Sequence, residues 1–381
     1  MKVYIDNGAT TPVDKAVVKA MLPYFSEKFG NPSSLHFVGE EAKRVLEESR
    51  AVIAKAIRAK PEEIIFTSGG TESDNLAIKG AAYANRDKGN HIITSKIEHS
   101  AVLKTCRELE KEGFKVTYLD VGREGVIEVR DLEKSLTQNT ILVTIVHANN
   151  EIGTIQPVEE MGRLCREKGV LFHTDAVQSF TKVLLNARNI DLASFSAHKI
   201  HGPRGVGALY MRSGVKLRKL LQGGEQEFNL RPGTENVAGI VGFAKAVQLA
   251  KPKHIKHMKR LRDKLIDGVL KMPDTILNGS REKRLCNNAN ISFKYIEGEA
   301  LGSYLDLAGI CTSTGSACTS RNLKPSHVLM AIGLSEVEAH GSLRLTLSRF
   351  TTEKEIDYVL EELQKVVKKL RRMSPLTEEE K

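Results

Sequence analysis

Between residues 12 and 250, short apolar runs rich in β-branched residues alternate with stretches whose apolar positions recur at helical spacing. That alternation predicts an α/β domain built on a largely parallel sheet, because strand and helix must take turns along the chain. Candidate strands lie at 63–67, 91–94, 115–119, 141–147, 170–174, 192–196 and 207–211, which makes a seven-stranded sheet. Helices such as 39–59 and 158–168 fall between them. From Lys251 the texture changes to a long basic helix, a strand-like run at 288–293 and a closing helix at 352–371. Thr352 and Glu355 have the spacing of a helix start. The expected division is a large α/β domain at 14–250 and a smaller α+β domain made of 1–13 and 251–381.

Composition narrows the setting. The 381 residues are 41% hydrophobic and 27% charged, an ordinary globular balance. No apolar run approaches the roughly 20 residues needed to span a bilayer, and the first residues lack the apolar core of a signal peptide. A cytoplasmic protein with no membrane partner is expected. Five cysteines, Cys106, Cys165, Cys286, Cys311 and Cys318, are odd in number and form no CxxC pair, so neither a disulfide framework nor a protein-only zinc site is suggested. Cys106 and Cys165 share helix faces with apolar residues and are expected in the core. The net charge of +10 resides largely in basic residues interleaved with apolar ones at helical spacing. These read as solvated helix faces, without the interleaved aromatics that would stack nucleic-acid bases. The tail beyond Pro375 reads as a frayed end.

Several segments carry chemistry. Ser196-Ala197-His198-Lys199 follows an apolar strand and precedes a glycine-rich turn. A lysine amine there could condense with an aldehyde, and Ser196 and His198 could hold a neighbouring phosphate; pyridoxal phosphate is the cofactor with that chemistry. Gly69-Gly70-Thr71 runs from a strand into a helix whose free amides could bind an anion, although the same letters also make a capped helix without a ligand. Asp175 follows a strand, where it could keep a pyridine nitrogen protonated; Gln178, one helical turn on, could donate to a phenolic oxygen. As an alternative, Asp175 is a helix N-cap. His99, just past a strand, could stack on a ring and carry protons, or simply cap a helix. Asn149 and Asn150 offer an amide at the same edge, or serve a turn. Cys318, near Arg321 in a small polar segment at about 311–322, suits a mobile thiolate nucleophile. Arg344, in an alternating strand-like run, could fork a substrate carboxylate.

Together these segments resemble the cysteine desulfurases of the iron-sulfur-assembly and nitrogenase-maturation type, within the fold-type I, class V pyridoxal-phosphate transferases. The likeness extends from Asp6-Asn7-Gly8-Ala9-Thr10-Thr11 to Arg349-Phe350-Thr351-Thr352. It implies Lys199 as the Schiff-base lysine, His99 as the stacking and acid/base residue, and Asp175 and Gln178 as ring partners. It implies Gly70, Thr71, Ser196 and His198 as phosphate-side residues, Asn150 near ring and substrate, and Arg344 as the carboxylate clamp. Thr234 matches a phosphate contact donated by a neighbouring subunit, which implies a homodimer. Cys318 matches the sulfur-accepting cysteine, in the long form of its loop, Gly315-Ser316-Ala317-Cys318-Thr319-Ser320.

The implied reaction converts L-cysteine to L-alanine, with sulfur carried as a Cys318 persulfide to iron-sulfur assembly or another acceptor. Two departures stand out: Ala197 where glycine is usual, and Gly8 where Asn or Ser is common. A positive φ at Ala197 would tilt Lys199. Two rivals remain: a selenocysteine lyase or other β-eliminating pyridoxal enzyme, and a sulfur or cluster carrier. In the second, Cys318, with Cys311, ligates a [2Fe-2S] cluster shared with a scaffold protein.

Overall fold

The computed structural model describes residues 1–314 and 325–374. Twelve strands occur among them: β1 (Val3–Tyr4), β2 (Ile64–Thr67), β3 (His91–Ser95), β4 (Lys115–Leu119), β5 (Thr140–Val146), β6 (Leu171–Asp175), β7 (Leu192–Ser196), β8 (Gly207–Met211), β9 (Thr275–Leu277), β10 (Asn288–Phe293), β11 (Ile310–Cys311) and β12 (Ser342–Thr346). Strands β2 to β8 form one sheet in the order β2-β8-β7-β6-β5-β3-β4. All its pairings are parallel except those of β8, which runs against both β2 and β7. The expected α/β architecture and its seven strands are therefore present, each within a residue or so of its predicted ends.

Burial explains why those runs carry so few polar positions. Every residue of β5, from Thr140 to Val146, is buried. Alternate side chains enter different cores. Ile64, Phe66, Ile93 and Val143 join the helices Phe37–Ala56 and Val237–Leu249 on one face. Ile65, Ile92 and Leu142 pack with Leu76, Val102 and Leu109 on the other. A sheet covered on both faces needs apolar residues at both parities, which is the pattern a parallel sheet imposes. Cys106 and Cys165 are buried in these two cores, as expected.

The carboxyl-terminal part builds separately on an antiparallel sheet, β12-β10-β9. Helices Pro252–Val269 and Glu353–Met373 cover it with Leu261, Leu265, Val359 and Leu363. The second helix begins as its sequence predicts: Thr352 N donates to Glu355 Oε2 at 2.6 Å, and Glu355 N donates to Thr352 Oγ1 at 3.3 Å. Val3 and Ile5 enter this same core, so the chain's first residues pack with its last third. Residues 6–11 then lead back to the large sheet, where Thr11 N donates to the carbonyl of His198. No helix among the described residues is long and apolar enough to cross a membrane.

Candidate active site

Because β8 alone is reversed, the carboxyl ends of β3, β5, β6 and β7 open on the same edge. That edge is where open α/β sheets collect ligands. A cavity of about 380 Å³ lies there, and the small sheet closes its other side through Arg344. Gly70, Thr71, His99, Asn150, Asp175, Gln178, Ser196, His198 and Lys199 all line it. The structure thus brings together the residues that the sequence motifs singled out, except Thr234 and Cys318. Thr234 is exposed and outside this lining. Cys318 lies outside the described residues, as does most of its loop.

Lys199 ends a 3-10 turn, Ala197–Lys199, that follows β7 directly. Its Nζ donates to the carbonyls of Gly8 at 2.6 Å and Ala9 at 2.7 Å. Ala197 is fully buried and is not among the residues with positive φ, so its methyl group is accommodated and Lys199 is not tilted by it. Gly8 is wedged: a Cβ there would lie 3.1 Å from Thr346 Cγ2 and 3.3 Å from Arg344 Cζ. A larger residue at position 8 would press on the arginine while its carbonyl held the lysine.

Asp175 is the last residue of β6, and its Oδ1 accepts from Val177 N at 2.9 Å. No helix follows. Residues 177–183 form successive turns, so Gln178 is not placed by a helical turn as its spacing suggested. Gln178 instead points its Nε2 at the carbonyl of Gly8, 2.9 Å away. His99 does cap the helix Ser100–Lys111, its Nδ1 accepting from Ala101 N at 3.1 Å. Capping and a place in the cavity are compatible, because that bond uses only Nδ1 and leaves Nε2 to carry a proton. Burial lowers the His99 pKa, Asp175 pulls it back up, and Lys199 and His327 push it down. Burial, helped by Lys199, drives His198 to about 4, so it is neutral. Its Nδ1 meets Thr10 Oγ1 at 3.1 Å.

The two asparagines divide the roles that their sequence left open. Asn149 serves the turn, with Oδ1 accepting from Glu151 N and Ile152 N. Asn150 lines the cavity, and its carbonyl accepts from Arg344 Nη1 at 3.2 Å. Arg344 is 3% exposed and its Nη2 donates to Asp6 Oδ1 at 2.9 Å. Its Nε finds no partner among the described residues.

Three cavity-side residues were not singled out from sequence. Asp74, one helical turn beyond Gly70 and Thr71, is fully buried, and its Oδ1 has no hydrogen-bond partner. Its position three residues after Thr71 was the available signal, since that spacing shares a helix face. Glu98 is fully buried beside His99 and accepts from Ser95 Oγ and Val146 N. His327 donates from Nε2 to the Glu98 carbonyl at 3.0 Å. Nothing in its local sequence marks it.

The residues present fit pyridoxal phosphate. Gly69 sits at φ 155°, a conformation open to glycine, and a Cβ on Gly70 would meet Val177 Cγ2 at 2.6 Å. The backbone amides that open the helix Gly70–Ala84 therefore face the cavity without a side chain in front, beside Ser196 and His198. A half-buried lysine amine, a buried aspartate and an imidazole complete the set. Fold and site together define a pyridoxal-phosphate-dependent enzyme of the α/β transferase kind.

The comparisons agree. The aminotransferase class-V family matches residues 3–359. The cysteine desulfurase IscS of Dictyoglomus turgidum is 53% identical over 384 residues, covering 99% of this chain and 98% of its own length. A solved NifS-like protein superposes with a TM-score of 0.91 at 42% identity, over 97% of this chain and all of the other. The structure of SspA in complex with cysteine has a TM-score of 0.83 at 38% identity, over 92% and 100% of the two chains. The chain belongs to the class-V aminotransferase family, among its cysteine desulfurases.

Proposed function

We propose that this protein is a desulfurase that takes sulfur from L-cysteine through Cys318 and releases L-alanine. The observation that carries the reading is Lys199 Nζ, held by the Gly8 and Ala9 carbonyls in a cavity that also contains Asp175, His99 and Arg344. Arg344 binds the substrate carboxylate, for which its unpartnered Nε is the free donor. Asn150 orients the substrate from the neighbouring turn. Ser196, His198, Gly70 and Thr71 hold the cofactor's phosphate, Asp175 faces its ring nitrogen and Gln178 its phenolic oxygen. Pyridoxal phosphate, when bound, supplies an electron sink for the substrate's α-carbon.

Lys199 holds the cofactor and moves the proton at that carbon. His99 carries a proton on Nε2, with Nδ1 committed to Ala101 N. The Cys318 thiolate attacks the substrate sulfur. An S–S bond forms, the C–S bond breaks, and its electron pair stays on carbon, which takes up a proton to give alanine. A free thiol with a pKa of about 8.5 is only a few per cent ionised at pH 7, so the reaction needs a positive group beside Cys318 at the moment of attack.

The functional unit is a homodimer in which Thr234 reaches the partner's phosphate site. Support comes from Thr234 being exposed and outside its own chain's cavity. Leu35 and Phe37 at 95% and 82% exposure, with Phe25 and Phe29, give an apolar strip for a second copy to cover. Division into a large unit at 14–250 and a small one from 1–13 and 251–381 is supported by the separate core that Val3 and Ile5 share with the last third. Sulfur then passes to an iron-sulfur scaffold or another acceptor in the cytoplasm. The unpaired state of Cys106, Cys165, Cys286 and Cys311 is in keeping with a reducing compartment.

The test is the mass of the holoenzyme after mixing with L-cysteine in the absence of reductant, with peptide mapping. One added sulfur atom on the Cys318 peptide is expected, together with stoichiometric alanine. Turnover that persists unchanged in Cys318→Ser would instead favour the β-eliminating reading.

A further inference from the structure

Asp74 is part of no motif assigned above, yet it occupies the floor of the cavity. It comes from the helix Gly70–Ala84, whereas Asp175 comes from the end of β6, and His99 from the turn after β3. A carboxylate oxygen of Asp74, one of Asp175 and a ring nitrogen of His99 all lie within 4.8 Å of one another. Both aspartates are buried, at 1% and 5% exposure, so neither charge is screened by water. Two carboxylates at that separation in a dry site do not both ionise.

Their surroundings differ. Burial raises the Asp175 pKa, but His99, the Val177 N–H on Oδ1 and Lys199 all act to hold it down. Asp74 Oδ1 has no donor among the described residues. His173 Nε2 is 3.8 Å from it, but His173 is occupied on both nitrogens, by Thr144 Oγ1 and by Ser194 Oγ. His99 also lies within 4.8 Å of an Asp74 oxygen, but burial lowers its pKa, and Glu98 adds a further carboxyl, not a cation.

We infer that Asp74 works as a neutral carboxylic acid beneath the cofactor site, a positioning residue that leaves the full negative charge to Asp175. Among the described residues Oδ1 has neither a donor nor an acceptor in hydrogen-bond reach, so nothing there stabilises a charge on it. Burial together with the Asp175 charge raises the Asp74 pKa well above the ordinary carboxylate range, and only Ser194 opposes it. Burial drives His173 to about 3, so the neighbouring imidazole supplies no compensating charge. A second ionised carboxylate would spread negative charge over the floor and compete with Asp175 for the ring nitrogen.

The inference rests on Asp175 facing that ring. It is tested on full-length protein by two readouts that need no turnover: the affinity of the apo-chain for pyridoxal phosphate, and the pH midpoint of the bound cofactor's visible absorbance. Asp74→Asn keeps a neutral side chain of the same size in place, and both values should match the parent. Asp74→Ala removes the neutral acid beside Asp175 and leaves a gap under it, and should weaken cofactor binding about tenfold. A midpoint displaced by about one pH unit or more in Asp74→Asn would show that a charge had been removed, and would overturn the inference. Parent affinity in Asp74→Ala would overturn it equally. If Asp74→Ala does not fold, the Asp74→Asn midpoint decides alone. Asp175→Asn is measured in parallel: parent values there would refute the ring assignment of Asp175 itself, a failure distinct from that of Asp74.

Discussion

The floor of the cavity and its Arg344 wall are built by different means. The floor consists of residues that leave successive parallel strands: His99 after β3, Asn150 after β5, Asp175 at the end of β6, and Ser196 and Lys199 at and after β7. Each is positioned by the few residues around it. The wall is one side chain in the middle of β12, fixed by Asp6, 338 residues away in sequence, and by the carbonyl of Asn150. A local turn can be altered without disturbing its neighbours. Arg344 depends on three separate segments meeting, so the wall is the part of the site most sensitive to how the two sheets sit together.

Three outcomes sharpen that contrast, in order of size. Lys199→Ala removes the floor's reactive amine, and alanine release from cysteine should fall by on the order of 10³-fold or more while the fold is retained. Circular dichroism and steady-state kinetics check both halves. Arg344→Lys keeps the charge but loses the fork, and the lost bonds predict a rise in KM of about ten- to a hundredfold with a smaller change in kcat. A kcat loss as large as that of Lys199→Ala would mean that the wall takes part in the chemical steps beyond holding substrate.

The smallest effect on activity belongs to Glu98, under the floor, whose change shows in stability instead. Burial raises its pKa from 4.5 to about 8. The folded chain therefore binds more protons than the unfolded chain between those values, and stability falls as pH rises from about 4.5 to about 8. The loss is on the order of a few kcal/mol in the cofactor-free protein. Glu98→Gln should flatten that dependence, as read from denaturant midpoints across the same range.

This division also explains what the sequence made legible. The strands, and the motifs that follow them, could be read because period and turn chemistry are local. Lys199, Asp175 and His99 were each found as a reactive residue just beyond an apolar run. Gln178 was found for its chemistry but misplaced, because residues 177–183 turn where Asp175 suggested a helix start. Asp74 and His327 were missed: Asp74 shares a helix face with Thr71, but its significance, like that of His327, comes from the residues they approach in space, Asp175 and Glu98. Arg344 was found as a forked cation in a strand-like run and through the family resemblance. Its pairing with Asp6 is a tertiary event that joins the first strand's exit to β12.

Attachment of the cofactor to Lys199, at the sheet edge, is the proposal on which the other residue roles depend. Lys182 is a demanding control: it lies four residues from Gln178, donates to that residue's carbonyl, and is lowered by burial to about 8. The direct measurement is borohydride reduction of the holoenzyme followed by peptide mapping. The account predicts a single pyridoxyl-modified peptide containing Lys199. A modification found instead on Lys182, or on any lysine outside the cavity, would contradict it.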